Sequence, residues 1–345
     1  MSDTTFGEIA KQFKQTSLPQ SEIELSGEIP FESLTPYRKE AIEHLQDHVE
    51  IPGFRKGHIP EDMLVKKVGE IAVLEEAIEH MMRDLYPAIV IEKKLEPIGR
   101  PTISITKLAP GNPIGLTIKT ALFPIFDLPD YKKIAGGIKK EEAKIPTEEE
   151  VKQAVDAVRT SHSTLKDPEG KPILPEVTDE WVKTLGDFTN VLDFNEKLIE
   201  HMKKEKEQTT KEKHRIAVTE AIMDKTTIDI PNIFVESELD KMLGQMKEDV
   251  KRFGMQFDEY LKRSNKTEDD IRKDFRVDAE KRAKLQLILN GIAEKEEVKI
   301  SAEEIEQEAK HILEHFKDAD RERVHIYVES VLKNERVLSM LESQK

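Results

Sequence analysis

Ile51-Pro52-Gly53-Phe54-Arg55-Lys56-Gly57-His58-Ile59-Pro60 is a short loop between two helical patterns, and it places an aromatic ring beside two cations. Its two prolines restrict the helices on either side, because proline fixes its own φ and pushes the residue before it out of the α region. Gly53 and Gly57 let the backbone fold back at low steric cost. Such a loop presents Phe54, Arg55 and Lys56 at its tip. A ring to bury and cations to pair with carboxylate or phosphate make up a docking site. The same residues also suit an ordinary Gly/Pro turn.

Working outward, Ser21 to Ile29 alternates polar and apolar residues, the period of a half-buried strand, and Pro30 ends it. Ser33 or Thr35 caps a helix carrying Ala41, Leu45, His48 and Val49. Beyond the loop, Leu64, Val68, Ile71, Leu74, Ile78, Met81, Leu85 and Ile89 trace one helical stripe, interrupted near Gly69 and kinked at Pro87. Ile103 and Ile105 lie on a strand, and Leu116 to Phe123 is its partner across the Pro110-Gly111-Asn112-Pro113 turn.

Phe126 to Pro146 reads as an extended linker. Thr147-Glu148-Glu149-Glu150 then opens a helix with a capping box, running to about Leu165. From Phe194 the pattern is helical nearly to the end. It begins with a long helix whose middle, Lys203 to His214, is so charged that it reads as a solvated, projecting arm.

Gly53-Phe54-Arg55-x-Gly57-x-x-Pro60 resembles the signature of trigger factor, the bacterial chaperone that docks at the ribosomal exit for nascent chains. The segments Phe257 to Lys262, Lys266 to Arg272 and Ala279 to Glu294 are similar to the same family, so the likeness runs from about Ser21 to Leu341. It implies an α+β N-terminal ribosome-docking domain (1–126), a linker region (127–176) and a mostly α-helical, arm-bearing C-terminal chaperone domain (177–345) in an elongated molecule. It also implies ribosome contact through Phe54, Arg55 and Lys56, framed by Gly53, Gly57 and Pro60. His58 stands where lysine is common in the family, one docking cation fewer.

In typical trigger factors a prolyl-isomerase domain of the FK506-binding type follows a helix like Val151 to Leu165 and precedes a segment like Asp179 to Gly186. Only the turn-rich Asp167 to Pro175 stands there in this chain. That stretch is too short for the aromatic-lined sheet such an enzyme needs. The resemblance therefore implies a trigger factor without its isomerase domain, and no enzyme. Trp181 is read as a packing residue rather than part of a proline pocket.

Composition narrows the function further. Charged residues make up 36% of the 345 residues, aromatics 6%, and the net charge is −15, so any contact with nucleic acid has to be local and basic. Arg55, Lys56, Lys66 and Lys67 supply such a locus, offset in part by Glu61 and Asp62. With no cysteine there is no disulfide, thiol nucleophile or cysteine zinc site. Met1 to Lys14 has no apolar core of the kind a secretory signal needs, and no apolar run approaches the ~18 residues of a membrane span. A cytoplasmic location follows, with no membrane or DNA partner.

His311-Ile312-Leu313-Glu314-His315 fits the H-x-x-E-H pattern of zinc peptidases, but it has no evident third ligand. His44 and His48 share the i, i+4 spacing and read as surface histidines, so neither a metal nor a cofactor is expected. The carboxylates alternate with lysines as a solvated face, and neither a P-loop nor a G-x-S-x-G elbow is present. What remains is an ATP-independent binding protein. The resemblance to trigger factor implies that its partners are unfolded nascent chains and the large ribosomal subunit near the tunnel exit, protein and rRNA, and it leaves open a homodimer when free.

Adaptable thioethers and rings suit such clients. The cradle contacts expected are Met202, Met223, Phe234, Met242, Met246, Phe253, Met255 and Phe257, each equally suited to a place between helices. The alternatives are a ribosome-independent holdase or assembly chaperone of the same fold, or a prolyl isomerase.

Overall fold

The computed structural model describes residues 3–163 and 173–344. Two compact units divide the chain: Met1–Phe126 with Thr227–Gln286, and Asp127–Thr226 with Leu287–Lys345.

The first unit is built on a four-stranded antiparallel sheet. Its strands are β1 (Lys14–Leu18), β2 (Glu22–Ile29), β3 (Pro97–Lys107) and β4 (Ile114–Leu122), in the order β1-β2-β4-β3. The β2–β4 register sets Leu25 opposite Ile118 and Ile29 opposite Ile114. Alternation then sends Ile23, Leu25, Ile29, Leu116 and Ile118 to one face, which is buried. Covering that face are α1 (Asp3–Gln12) and α4 (Glu70–Lys93), whose Phe6, Ile9, Leu74, Ile78, Met81, Leu85 and Ile89 complete a single core with Phe13, the residue after α1. In β2 the buried face would continue at Gly27, but a Cβ there would sit 2.9 Å from the Phe13 ring. The Phe13 ring takes the place of a side chain on the strand.

Several local expectations are corrected. Phe6, Ile9 and Ala10 recur at helical spacing and are all buried, as is Phe13 just beyond them, so the N-terminal segment does carry an apolar stripe, and it forms α1. The strand β1 was not expected, because its exposed Lys14, Gln15, Thr16 and Ser17 show no alternation; it is a polar sheet edge. Neither Ser33 nor Thr35 caps the second helix with its side chain. A single 3-10 turn, Phe31–Leu34, leads directly into α2 (Thr35–His48). The long stripe divides at Gly69, whose φ of +87° ends α3 (Glu61–Val68) before α4, and Pro87 lies inside α4.

In the second unit the expected extended linker contains α5 (Tyr131–Gly137), held by buried Tyr131 and Ala135. The Tyr131 hydroxyl donates to Glu296 at 2.6 Å, and the Lys295 ammonium sits 5.4 Å from the ring centre. The Thr147–Glu150 capping box opens α6 (Glu148–Ser161) as expected. The short α7 (Asp179–Lys183) sets Trp181 edge-on to Phe194, a packing role. The long charged helix is α8 (Val191–Asp224), 34 residues. Helix α6 stops at Ser161, short of the expected Leu165, and most of the isomerase-position stretch from Asp167 to Pro175 lies outside the described residues.

The chain then returns to the first unit with α9 (Asn232–Arg252), α10 (Phe257–Ser264) and most of α11 (Glu268–Lys295). Helices α9 and α11 pack antiparallel through Val235, Leu239, Ala279 and Ala283. Arg272 bridges Glu236 and Asp240, and Arg276 bridges Glu236 and Asn232, which holds the Glu236 carboxyl below its usual range. The second unit ends with α12 (Ala302–His315), opened by a Ser301–Glu304 capping box, and α13 (Arg321–Glu342). Arg215 on α8 binds Glu335 and Glu342 of α13. Among the described residues no helix is long and apolar enough to cross a membrane.

Candidate functional site

The signature loop leaves α2 and enters α3, with Ile59 buried at one end, Ile51 half-buried at the other and its tip exposed. Ile59 is 2% exposed and packs with Ile42, Leu64 and Val73; Ile51 and Val49 lie against the same small core. Between these anchors Pro52 to Lys56 are exposed. The turn is closed by the Phe54 amide donating to Ile51 O at 3.1 Å and the His58 amide to Arg55 O at 3.0 Å. It is tied to α2 by the Gly57 amide on Gln46 O and by the Gln46 side chain donating to Ile59 O at 2.6 Å.

Gly53 and Gly57 have φ of +93° and +78°, so both turns need the left-handed region. At Gly57 a Cβ would also meet Asp47 Oδ1 at 2.9 Å. Phe54 is 40% exposed, large for an apolar ring that nothing in the fold covers. Lys56 pairs with Glu50 at 2.8 Å and holds that carboxyl below its usual range, while Arg55 has no ion-pair partner among the described residues. The loop therefore offers one ring and one unengaged guanidinium on a braced turn.

A second feature of the same unit is an open apolar groove of about 600 Å³ at the C-terminal end of α9. Met242, Met246, Val250, Phe253, Met255 and Phe275 supply its apolar wall, and Gln245, Asp249, Tyr260 and Arg282 its polar groups. Gly254, at φ +78°, turns the chain back, so that the Met255 amide donates to Val250 O at 3.2 Å and both Phe253 and Met255 reach one hollow. Phe253 is 87% exposed.

Of the eight cradle residues expected from sequence, Met242, Met246, Phe253 and Met255 are brought together here. Phe234 instead packs edge-on against Phe123, and Phe257 stacks on Tyr260 beneath the Lys247 ammonium. Met223 is half-buried on α8, and Met202 lines a separate, largely charged hollow with Lys204, Glu205 and Lys206. The groove also uses Val250, Tyr260 and Phe275, which the sequence reading passed over. Val250 was signalled by its helical spacing with Met242 and Met246 on α9, whereas Tyr260 and Phe275 lie on α10 and α11 and reach the groove only through packing. His311, Glu314 and His315 are exposed on α12, with no third ligand brought to them among the described residues.

The family described as bacterial trigger factor protein matches residues 11–158, and that described as bacterial trigger factor protein C-terminus matches residues 190–344. The chain belongs to the bacterial trigger factor family. Curated trigger factors are similar along most of their length. That of Finegoldia magna is 22% identical over 382 residues, with 86% of each chain covered. Those of Halothermothrix orenii (22% over 387 residues) and Clostridium botulinum strain Hall (24% over 388) cover 87% and 86% of this chain and 90% of their own. These alignments are longer than the 345-residue chain itself, so each relative carries stretches with no counterpart here.

A solved chain described under promiscuous substrate recognition in folding and assembly activities of the trigger factor chaperone shares the fold. Its TM-score is 0.55 at 18% identity, covering 96% of this chain and 99% of that one. The α+β N-terminal part and the helical C-terminal part are those of a trigger factor, and the chain is a folding chaperone of that type.

Proposed function

We propose that this trigger factor acts at the ribosome, docked through Phe54, Arg55 and Lys56, with Gly53, Gly57 and Pro60 shaping the turn that displays them. The observation that carries the reading is the contrast within one loop, whose ends are packed on a small core and hydrogen-bonded while its aromatic-cationic tip is exposed. Such a tip pays little ordering entropy on binding. Its cations suit rRNA phosphate and acidic protein side chains of the large subunit near the tunnel exit. At a net charge of −15 the rest of the chain repels RNA, which keeps docking local and makes it salt-sensitive.

In this reading residues 1–126 dock, 127–176 connect and 177–345 hold clients, with the groove around Met242, Met246, Phe253 and Met255 receiving apolar segments of nascent chains. Methionines fit varied side chains without demanding one shape. The groove is open, so weak contacts exchange as the client buries its own surface, and no nucleotide is needed. The work is cytoplasmic, and it proceeds without prolyl isomerisation. That last point is supported by the family matches falling on the N-terminal and C-terminal parts, with residues 159–189 between them, and by the extra stretches the relatives carry.

Co-sedimentation with bacterial ribosomes across a salt series tests the docking. The wild type should pellet at low salt, and a Phe54→Ala, Arg55→Ala, Lys56→Ala triple variant should stay in the supernatant. A wild type that fails to pellet would leave a ribosome-independent holdase. A proline-limited refolding assay tests the absence of isomerase activity: no acceleration is expected.

A further inference from the structure

Apart from loop and groove, helices α2 and α4 bring together His44, Glu76 and His80, one donor atom of each lying within 4.8 Å of the other two. Glu76 and His80 are a helical turn apart on α4 and so share a face. His44 comes from α2, one turn before His48 at its end. Glu76 Oε1 is the common neighbour, 2.7 Å from His44 Nδ1 and 3.3 Å from His80 Nε2.

His80 is what makes this more than a surface ion pair. It is 7% exposed, and neither of its ring nitrogens has a hydrogen-bond partner. A buried imidazole in that condition is costly, because each unmet polar group loses its hydration without a replacement, and calls for an explanation. Its Nε2 points at Glu76, and its Nδ1 lies 3.4 Å from Glu40 Oε2.

We propose that His44, Glu76 and His80 form a binding site for a divalent transition-metal ion of the zinc class. Two imidazoles and a carboxylate are a recurrent zinc donor set. Bonds of about 2.0–2.1 Å in a tetrahedral shell place ligand atoms about 3.3 Å apart, the separation between His80 Nε2 and Glu76 Oε1. The shorter His44 contact opens by rotation of a side chain that is 46% exposed. Glu40 then stands behind His80 as the outer carboxylate that orients a metal-bound imidazole through its other nitrogen. Two carboxylates neutralise the ion's charge, and the fourth position is left to water. Imidazole donors favour zinc, nickel or copper over magnesium or calcium. The ion would clamp α2 to α4 at His44, two residues before Gln46, whose side chain and carbonyl hold the docking loop.

The test is calorimetric titration of the chelator-treated full chain with Zn2+, alongside Co2+ absorption and a Mg2+ control. Three variants accompany the wild type: His44→Ala, Glu76→Gln, and a His311→Ala/His315→Ala control for the other helical histidine pair. One Zn2+ should bind per chain at micromolar affinity or tighter, with visible bands of four-coordinate Co2+ and no response to Mg2+. Affinity should fall at least tenfold in His44→Ala and in Glu76→Gln, and stay unchanged in the control. His44 is exposed, so its variant should fold as the wild type does, which circular dichroism checks. No Zn2+ binding by the wild type, or binding equally tight in His44→Ala and Glu76→Gln, would overturn the site.

Discussion

Asp229 holds Ser21: its carboxylate accepts the Ser21 amide at 2.7 Å, and its carbonyl accepts the Ser21 hydroxyl at 2.7 Å. The other carboxylate oxygen takes the Gln20 amide at 3.0 Å. Gln20 and Ser21 have φ of +63° and +50°, a left-handed pair with no glycine in it, so the β1–β2 turn is kept in an unfavourable conformation by a residue 208 positions away. That residue begins the approach to α9, so one carboxylate fixes the sheet turn and the base of the α9–α11 pair together. Asp229→Ala should cost about 1–2 kcal/mol of stability by the ordinary worth of lost hydrogen bonds, and Asp229→Asn less. Urea unfolding gives the cost. Hydrogen exchange should quicken at the Gln20 and Ser21 amides, and unchanged exchange there would mean that the turn stands without Asp229.

Ile59 separates the anchoring of the docking loop from its contact surface. It is 2% exposed in a small core, and Ile59→Ala should cost about 2–5 kcal/mol. The loop tip is untouched chemically by this change. Ribosome affinity should nonetheless fall, and exchange of the Gly57 and His58 amides should rise, whereas Ile59→Val should leave docking nearly intact.

Phe253 and Met246 divide client binding from folding stability. With Phe253 87% exposed, Phe253→Ala should shift unfolding by no more than about 0.5 kcal/mol. The Met246→Ala, Phe253→Ala pair should lower the protection of a denatured client in a light-scattering assay severalfold, with ribosome docking unchanged. Full protection by the pair would place client contacts elsewhere in the chain.

Glu150 gives the second unit an acid-sensitive fastening. Hydrogen bonds from Lys206, and then from the Thr147 amide, lower its carboxyl from 4.5 to about 2, and the Lys206 bond joins α6 to α8. A depressed folded-state value means that the stabilisation is complete above about 4.5, declines as pH falls through the interval, and is gone below about 2. Thermal unfolding of Glu150→Gln should therefore lie below wild type at neutral pH, and the two should converge as pH approaches about 2. A gap independent of pH would point to lost capping-box hydrogen bonding alone.

The sheet strands β2 and β4, the capping boxes at Thr147 and Ser301, the break at Gly69 and the signature loop were all legible in the chain. Each depends on residues within one turn or one strand of each other, where φ preferences, side-chain capping and hydrophobic period act directly. α1 leaves only a short stripe, Phe6, Ile9 and Ala10 with Phe13 just after it, against which the charged and polar residues of the segment dominate. β1 and α5 were not legible. A polar edge strand carries no alternation, and α5 is held by Tyr131 meeting Glu296, a partner 165 residues away.

The candidate sites divide the same way. Phe54, Arg55 and Lys56 could be named from sequence because a loop tip is a local object and its two glycines announce the turn. Which methionines and rings share a groove, and which are packing, depended on how α9, α10 and α11 fold against one another. Helical period puts Met246 and Phe257 on apolar faces, but it does not say which faces meet. His44 and His48 drew attention by their spacing, yet His44 finds its neighbours in Glu76 and His80 on another helix, brought within reach only when α2 packs on α4. Sequence determined the family, the local turns and the loop that carries Phe54, Arg55 and Lys56. Tertiary structure decided every feature whose partners come from separate elements, because burial and side-chain proximity are properties of packed surfaces and not of neighbours along a chain.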